Sequence, residues 1–191
     1  MKLVWPSHQY LDRYTNALRR GWAPDTRRPQ SAQEELEEIS SDADLFLRRQ
    51  VDREAKGEPV KLPDGSIVPR LPGYRRWMWD GEFCGLIGFR WQPGSNELPP
   101  HCLGHIGYSV VPWKQRNGYA TQALQQLLID ARNEALSYVE LVAQSSNIAS
   151  QKVILLNGGL LIEHFHDNDA HGGAESLRYR IQLEDRNVRS V

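Results

Sequence analysis

Cysteine is scarce in this 191-residue chain, which has only Cys84 and Cys102. Two are too few for a disulfide scaffold or a cysteine-based zinc site, and neither lies in a C-x-x-C spacing, so both read as buried or half-buried thiols. Net charge is also close to nil, at -1 with an isoelectric point near 6.6. No global basic field therefore favours nucleic acid or an anionic membrane surface, and any anion must be bound locally. Long apolar runs are missing too. No stretch approaches the roughly 18 apolar residues of a membrane span, and Met1-Lys2-Leu3-Val4-Trp5-Pro6 lacks the apolar centre of a signal peptide. The expectation is a soluble, cytoplasmic protein with neither nucleic-acid nor membrane partners.

What remains is an ordinary globular balance of 40% hydrophobic and 25% charged residues, enough for one well-buried domain. We expect that domain to span residues 1–191, with a helical and loop part at 1–73 and a core at 74–183. Ser7 is placed to cap a helix through Arg20, with Tyr10, Leu11, Tyr14, Ala17 and Leu18 on one face and Gly21 ending it. Ser31 and Glu34 have capping-box spacing ahead of a second helix carrying Leu36, Ile39, Ala43, Phe46 and Val51. Its acidic start and basic end suit the helix dipole.

Residues 57–73 are broken by four prolines and three glycines. They predict an insertion with a small hairpin, 60–62 against 67–68, that either shapes a substrate entrance or is a plain surface loop. Strands follow at 74–79 and 83–91, joined at Asp80-Gly81, and a third at 105–110. A helix with apolar positions Ala120, Ala123, Leu124, Leu127, Leu128, Ala131 and Ala135 runs to about Leu136. A strand at 138–144, a shorter helix from Asn147 through Leu156, and strands at 160–165 and 177–183 complete the chain.

The chemistry concentrates in Gln115-Arg116-Asn117-Gly118-Tyr119-Ala120-Thr121, a polar turn between a strand and a helix. A helix start leaves amide N–H groups unpaired and partly positive, so phosphate oxygens can accept several hydrogen bonds there. Gly118 permits close backbone approach, having no Cβ. There is no G-x-x-x-x-G-K-[ST] loop, no G-x-G-x-x-G after a strand, and no G-x-S-x-G elbow.

This turn, with the strand His105-Ile106-Gly107-Tyr108-Ser109-Val110-Val111-Pro112 before it, resembles the Q/R-x-x-G-x-G/A motif of the GCN5-related N-acetyltransferase (GNAT) superfamily. Asn147 through Ile154 followed by Asn157-Gly158-Gly159 is similar to that family's second cofactor segment, in the manner of its ribosomal-protein-acetyltransferase-like branch. The N-terminal Pro6 to Leu11 and Gly21 to Asp25 also resemble a bacterial subgroup of acetyltransferases. The likeness is strongest over 74–165. It implies a mixed, mostly antiparallel α/β fold with a splayed central sheet flanked by helices.

It further implies acetyl-coenzyme A as donor and an unidentified amine as acceptor. The pyrophosphate would be held by amides of the Gln115 to Thr121 turn, and the pantetheine and thioester by backbone near Ser109, Val110 and Val111. Asn147 would bridge the splay, and Ser150 would position the cofactor. His105 stands where many relatives have glutamate, so it is the candidate base, with Glu82, His101 and an ordered water as competitors. The tyrosine that often protonates the departing thiolate is replaced by Ile154. A cluster of His164, His166, Asp167, Asp169 and His171 reads better as a polar hairpin turn than as a metal site, and no metal is expected. Trp77, Trp79 and Trp91 either line an acceptor pocket or pack in the core. The chain is read as an N-acetyltransferase working by direct attack in a ternary complex, with a non-catalytic acyl-coenzyme A sensor as the alternative. A homodimer is left open.

Overall fold

The structure is a computed structural model that describes residues 1–62, 64–167 and 173–183. The chain opens with strand β1 (Lys2–Val4) and helix α1 (His8–Arg19), followed by α2 (Ser31–Ser41), α3 (Ala43–Arg49) and the two-residue strand β2 (Val51–Asp52). A small hairpin pairs β3 (Val60–Lys61) with β4 (Ile67–Val68). Strands β5 (Gly73–Trp79), β6 (Phe83–Arg90) and β7 (Ile106–Val110) lead to α4 (Tyr119–Ala131). Then come β8 (Tyr138–Gln144), α5 (Ile148–Leu156), β9 (Leu160–His166) and β10 (Glu175–Gln182).

Two details of the N-terminal part differ from the expectation. The second helix is divided at Asp42, whose extended backbone and side-chain acceptance of the Leu45 N–H, 2.8 Å, restart the helix as α3. A short acceptor side chain that satisfies a free amide competes with continued helix. The capping box also fails. Ser31 is already helical and its hydroxyl faces the Asp25 N–H at 3.4 Å, while Glu34 binds Arg28.

The strands form two sheets. One runs β1-β5-β6-β7 with β2 also on β5, and the other runs β8-β10-β9, all ladders being antiparallel. The crossover through α4 returns β8 parallel to β7. No ladder joins these two strands, so the sheet splays between them, as expected for the mixed, helix-flanked fold.

Alternation decides what covers each face. Toward α4 point Met78, Ile87, Phe89, Leu141 and Ala143, which meet the buried α4 stripe Ala123, Leu124, Leu127, Leu128 and Ala131. Each leucine buried there contributes about 2 kcal/mol. The opposite face carries Trp77 and Leu86 beneath α1, with Phe83, Trp22 and Phe46 around Tyr14. Tyr14 stacks on Trp77 with centroids 4.4 Å apart. Trp77 and Trp91 are therefore core residues, and Trp79 packs half-buried on Tyr10.

The β5–β6 hairpin turns at Asp80-Gly81, and its register slips between Met78 and Trp79. Here Gly85 has φ +146°, and a Cβ on it would stand 2.2 Å from the Ser109 carbonyl. The bulge thus requires glycine. It lets the Val111 N–H reach the Cys84 carbonyl at 3.0 Å, which fixes the end of β7 just before the polar turn.

Candidate functional site

The turn after β7 has the form its sequence predicts. Pro112–Lys114 makes a short 3-10 helix, after which Arg116 and Gly118 both adopt left-handed backbone, with φ 63° and 72°. The first hydrogen bond of α4 runs from the Gln122 N–H to the Gly118 carbonyl, 3.0 Å. Consequently the six N–H groups from Arg116 through Thr121 have no acceptor among the described residues. They sit at the positive end of a 13-residue helix. A Cβ on Gly118 would meet only the Gln122 side chain, at 3.7 Å, so the concavity is open.

Asp80 braces this turn from the β5–β6 hairpin. Its carboxylate accepts from the Tyr119 hydroxyl at 2.6 Å and from Lys114 Nζ at 2.9 Å. These bonds hold its pKa far below the ordinary carboxylate range although burial opposes them. Lys114 also lies 3.4 Å from Glu82, which keeps that candidate base beside the turn.

The splay supplies a second set of unpaired groups. The Val111 N–H goes to Cys84 and the Arg90 N–H to the His105 carbonyl at 2.9 Å, so odd-numbered residues turn their backbone toward β6. Ile106, Tyr108 and Val110 therefore turn theirs into the gap. On the far side Ser145 binds Glu175, so Val142 and Gln144 face β7, although the Gln144 carbonyl is already taken by the Asn147 N–H at 2.9 Å and Gln151 at 3.2 Å. Of the three strand residues expected to offer backbone, only Val110 does so. The Val111 amide is engaged, and Ser109 instead accepts Trp22 Nε1–H on its hydroxyl at 2.9 Å.

His105 is not where an acceptor can touch it. Its residue is 0% exposed, the Glu140 N–H donates to Nδ1 at 3.0 Å, and its own N–H reaches the Glu140 carbonyl at 2.8 Å. Nε2 lies by the Asn96 backbone without completing a hydrogen bond. Burial lowers its pKa to about 4, against the pull of Glu140. His105 is thus a neutral clasp that closes one end of the gap. A strand histidine beside a motif gives no sequence signal that distinguishes clasp from base.

Asn147 caps α5 by accepting the Ser150 N–H on Oδ1 at 3.0 Å. Ser150 in turn meets Tyr108 across the gap, Oγ to hydroxyl 2.8 Å, and burial raises the Tyr108 pKa to about 12. Ile154 is buried at the position of the missing tyrosine. Tyr108 is a gap residue that sequence reasoning passed over, although alternation places it on the α5 side. Asp167, from the cluster read as a polar turn, lies just past β9; its Oδ2 accepts from Arg27 at 3.1 Å and from the Ser176 hydroxyl at 3.1 Å, tying the α1–α2 connection to the β9–β10 pair. Of the suspected metal cluster, Asp169 and His171 lie outside the described residues; among those described, no group of three or more ligating side chains gathers.

Comparisons with known proteins bear on the family and the fold. The family model described as the acetyltransferase (GNAT) domain matches residues 11–159. No curated protein sequence matches the chain. Among solved structures, the fold is similar to the microcin C7 self-immunity acetyltransferase MccE, determined in complex with acetyl-CoA and AMP. The TM-score is 0.62 at 12% identity, covering 95% of this chain and 91% of that one. It is similar as well to RimL, a ribosomal L7/L12 alpha-N-protein acetyltransferase in complex with coenzyme A, with TM-score 0.62, 15% identity and coverage of 95% and 93%. The Salmonella typhimurium acetyltransferase that modifies the N-terminal serine of L7/L12 gives 0.61 at 15% identity, with 95% and 94% covered. With the family model spanning most of its length, the chain belongs to the GNAT acetyltransferase family.

Proposed function

We propose that the protein binds acetyl-coenzyme A in the turn and gap and transfers its acetyl group to a primary amine by direct attack in a ternary complex. The observation that carries this reading is the pairing of two unpaired backbone sets. The N–H groups of Arg116 to Thr121 suit a pyrophosphate, while the edges of β7 and β8 suit a chain that itself carries amides. MccE and RimL, which share the fold, were determined with acetyl-CoA and coenzyme A.

Pantetheine amides would pair with backbone at Val110 and Val142, setting the thioester beside β7. The Gln115 side chain already reaches the Val110 carbonyl weakly, at 3.4 Å, so a ligand there replaces a poor bond with a better one. Asn147 and Ser150 line the opposite rim at the start of α5. As the amine nitrogen bonds to the acetyl carbon, the carbonyl oxygen gains negative charge, which the gap-facing N–H groups of Tyr108 and Val110 stabilise. The carbon–sulfur bond then breaks, sulfur leaves with the electron pair, and the ammonium proton passes to a base.

His105 is too enclosed to serve, and Glu82 is held by Lys114 beside the turn. His101, half-buried in a cavity near the acceptor face, and water are the bases compatible with the geometry. The thiol's ordinary pKa of about 8.5 lets it leave without a dedicated acid. No helix is long and apolar enough to cross a membrane among the described residues. We place the activity in the cytoplasm, with residues 1–191 acting as one domain.

The test is thiol release from acetyl-coenzyme A with a panel of primary amines, alongside calorimetric coenzyme A binding. Acceptor-dependent release is expected. Tight binding without it would replace the transferase by a sensor, and absence of binding would remove both.

A further inference from the structure

A cavity of about 330 Å³ lies against the β5–β6 pair, and its lining is rich in arginine. Its walls come from the end of α3, the 57–73 insertion, β5, β6 and the β6–β7 connection. They bring together Arg49, Arg70, Arg75, Arg90 and His101 against a single carboxylate, Asp52. That carboxylate is already occupied by the Lys56 and Gly57 N–H groups at 2.9 Å. Arg75 is held by Glu35 at 2.8 Å and Arg49 lies 3.7 Å from Glu38. Arg70 stands 3.9 Å from Asp52 with its Nε on the Glu58 carbonyl, and the exposed Arg90 has no side-chain ion pair or hydrogen bond among the described residues. Arg49, Arg70 and Arg75 are thus matched by carboxylates, and among the described residues Arg90 is the lining arginine left for an anion to pair with.

Strand register ties the cavity to the gap. Arg75 pairs with Gly88, and Gly88 with Gly107, so these three share the face that the α2 side of the molecule covers. Gly88 lines the cavity, and Gly107 is exposed with no atom within 4 Å of where a Cβ would stand. Gly107 thus leaves the floor open at the edge of β7, while the Arg75 side chain lies over Gly88, 3.5 Å from where a Cβ would stand. The next row toward the turn, Trp77, Leu86 and Ser109, is closed by α1 and Trp22. One strand spacing, about 5 Å, separates Gly88 from Gly107.

We infer that the acceptor is a small primary amine carrying a carboxylate or phosphate, with Arg90 and Arg70 holding the anion in this cavity. The inference rests on the acetyl-transfer reading for the amine end and on the cavity alone for the anion end. A volume of this size takes a metabolite and not a folded partner. Guanidinium forks match both anions, so carboxylate and phosphate are separate arms of the test.

The experiment measures thiol release with 4-aminobutyrate and 2-aminoethyl phosphate against their neutral counterparts, 4-aminobutyramide and 2-aminoethanol. At least a tenfold higher kcat/KM for one or both anionic amines is expected. Arg90→Gln should remove that preference through KM, while coenzyme A affinity, which reports the intact fold, holds. Equal turnover of charged and neutral amines, or a preference that survives Arg90→Gln, overturns the inference while leaving acetyl transfer standing. In a second arm, each anionic amine is titrated calorimetrically into coenzyme A-saturated protein. Binding that weakens at least tenfold in Arg90→Gln supports the anion site even where no amine releases thiol, an outcome that would fault the transfer reading alone. Absence of binding in both arms overturns the site.

Discussion

Tyr108 on β7 and Ser150 at the start of α5 meet across the open side of the sheet, hydroxyl to hydroxyl at 2.8 Å. The same Tyr108 hydroxyl also lies 3.2 Å from the Ser150 carbonyl. The two residues sit 42 positions apart in the chain and fix the width of the gap on its α5 side.

Tyr108→Phe should loosen that side without opening a cavity. Loss of one part-buried hydrogen bond costs about 1 kcal/mol, a drop of a few degrees in Tm. Because burial holds the phenol near pKa 12, the alkaline limb of turnover below pH 11 should be the same in both proteins. A limb that disappears in the phenylalanine variant would show that Tyr108 donates a proton to the leaving sulfur.

Gly118→Trp tests the anion cradle. The left-handed backbone at φ 72° disfavours any side chain by about 1–2 kcal/mol, and an indole would also cover the six N–H groups. Coenzyme A affinity measured by calorimetry should fall at least tenfold, with circular dichroism unchanged. Retained affinity would displace the pyrophosphate from this turn.

Asp80→Asn removes the brace beneath the same cradle. Its ion pair with Lys114 and its bond from Tyr119 are half-buried, so the loss should be about 1 kcal/mol, felt as several-fold weaker coenzyme A binding. The pKa of Asp80 lies well below the carboxylate range, so wild-type affinity should not weaken through this group between pH 7 and pH 5. Competition binding at the two pH values checks both statements.

His105 gives stability a particular pH dependence. Its folded pKa, near 4, lies below the unfolded value of about 6.5, so the unfolded chain binds the extra proton between these limits. The clasp's contribution is therefore complete above pH 6.5 and shrinks as pH falls toward 4, by about 3 kcal/mol. His105→Asn, which keeps an acceptor for the Glu140 N–H, should flatten that part of the urea-midpoint profile and leave turnover per folded molecule near wild type. A neutral-pH limb in kcat that vanishes with the substitution would return the imidazole to the chemistry.

Local features were legible in the sequence and relations across the sheet were not. The 115–121 turn, the α4 stripe and the Asp80-Gly81 hairpin each depend on a few neighbouring residues, and they stand where the pattern predicts. The edge strand β1 has only three residues, too few for a period, and is defined by its partner β5. The break at Asp42 reflects one carboxylate's choice of the Leu45 N–H over continued helix. The role of His105 depends on Glu140, 35 positions away, and the direction of each β7 amide depends on the Gly85 bulge. The cationic cavity is the extreme case, since Arg49, Arg70 and Arg90 come from a helix end, an insertion and a strand end.

Among the described residues the His105–Glu140 clasp is the backbone tie between β7 and β8, so beyond it the two sheets meet through the α4 core and not through a ladder. A donor that hydrogen-bonds to both free edges would act as a stitch, so its binding energy would also be folding energy. At a hundred times its dissociation constant such a ligand adds about 2.7 kcal/mol to the resistance against unfolding. Resistance to unfolding should then rise with coenzyme A, acetylated or free, since both carry the amides and pyrophosphate that make the stitch.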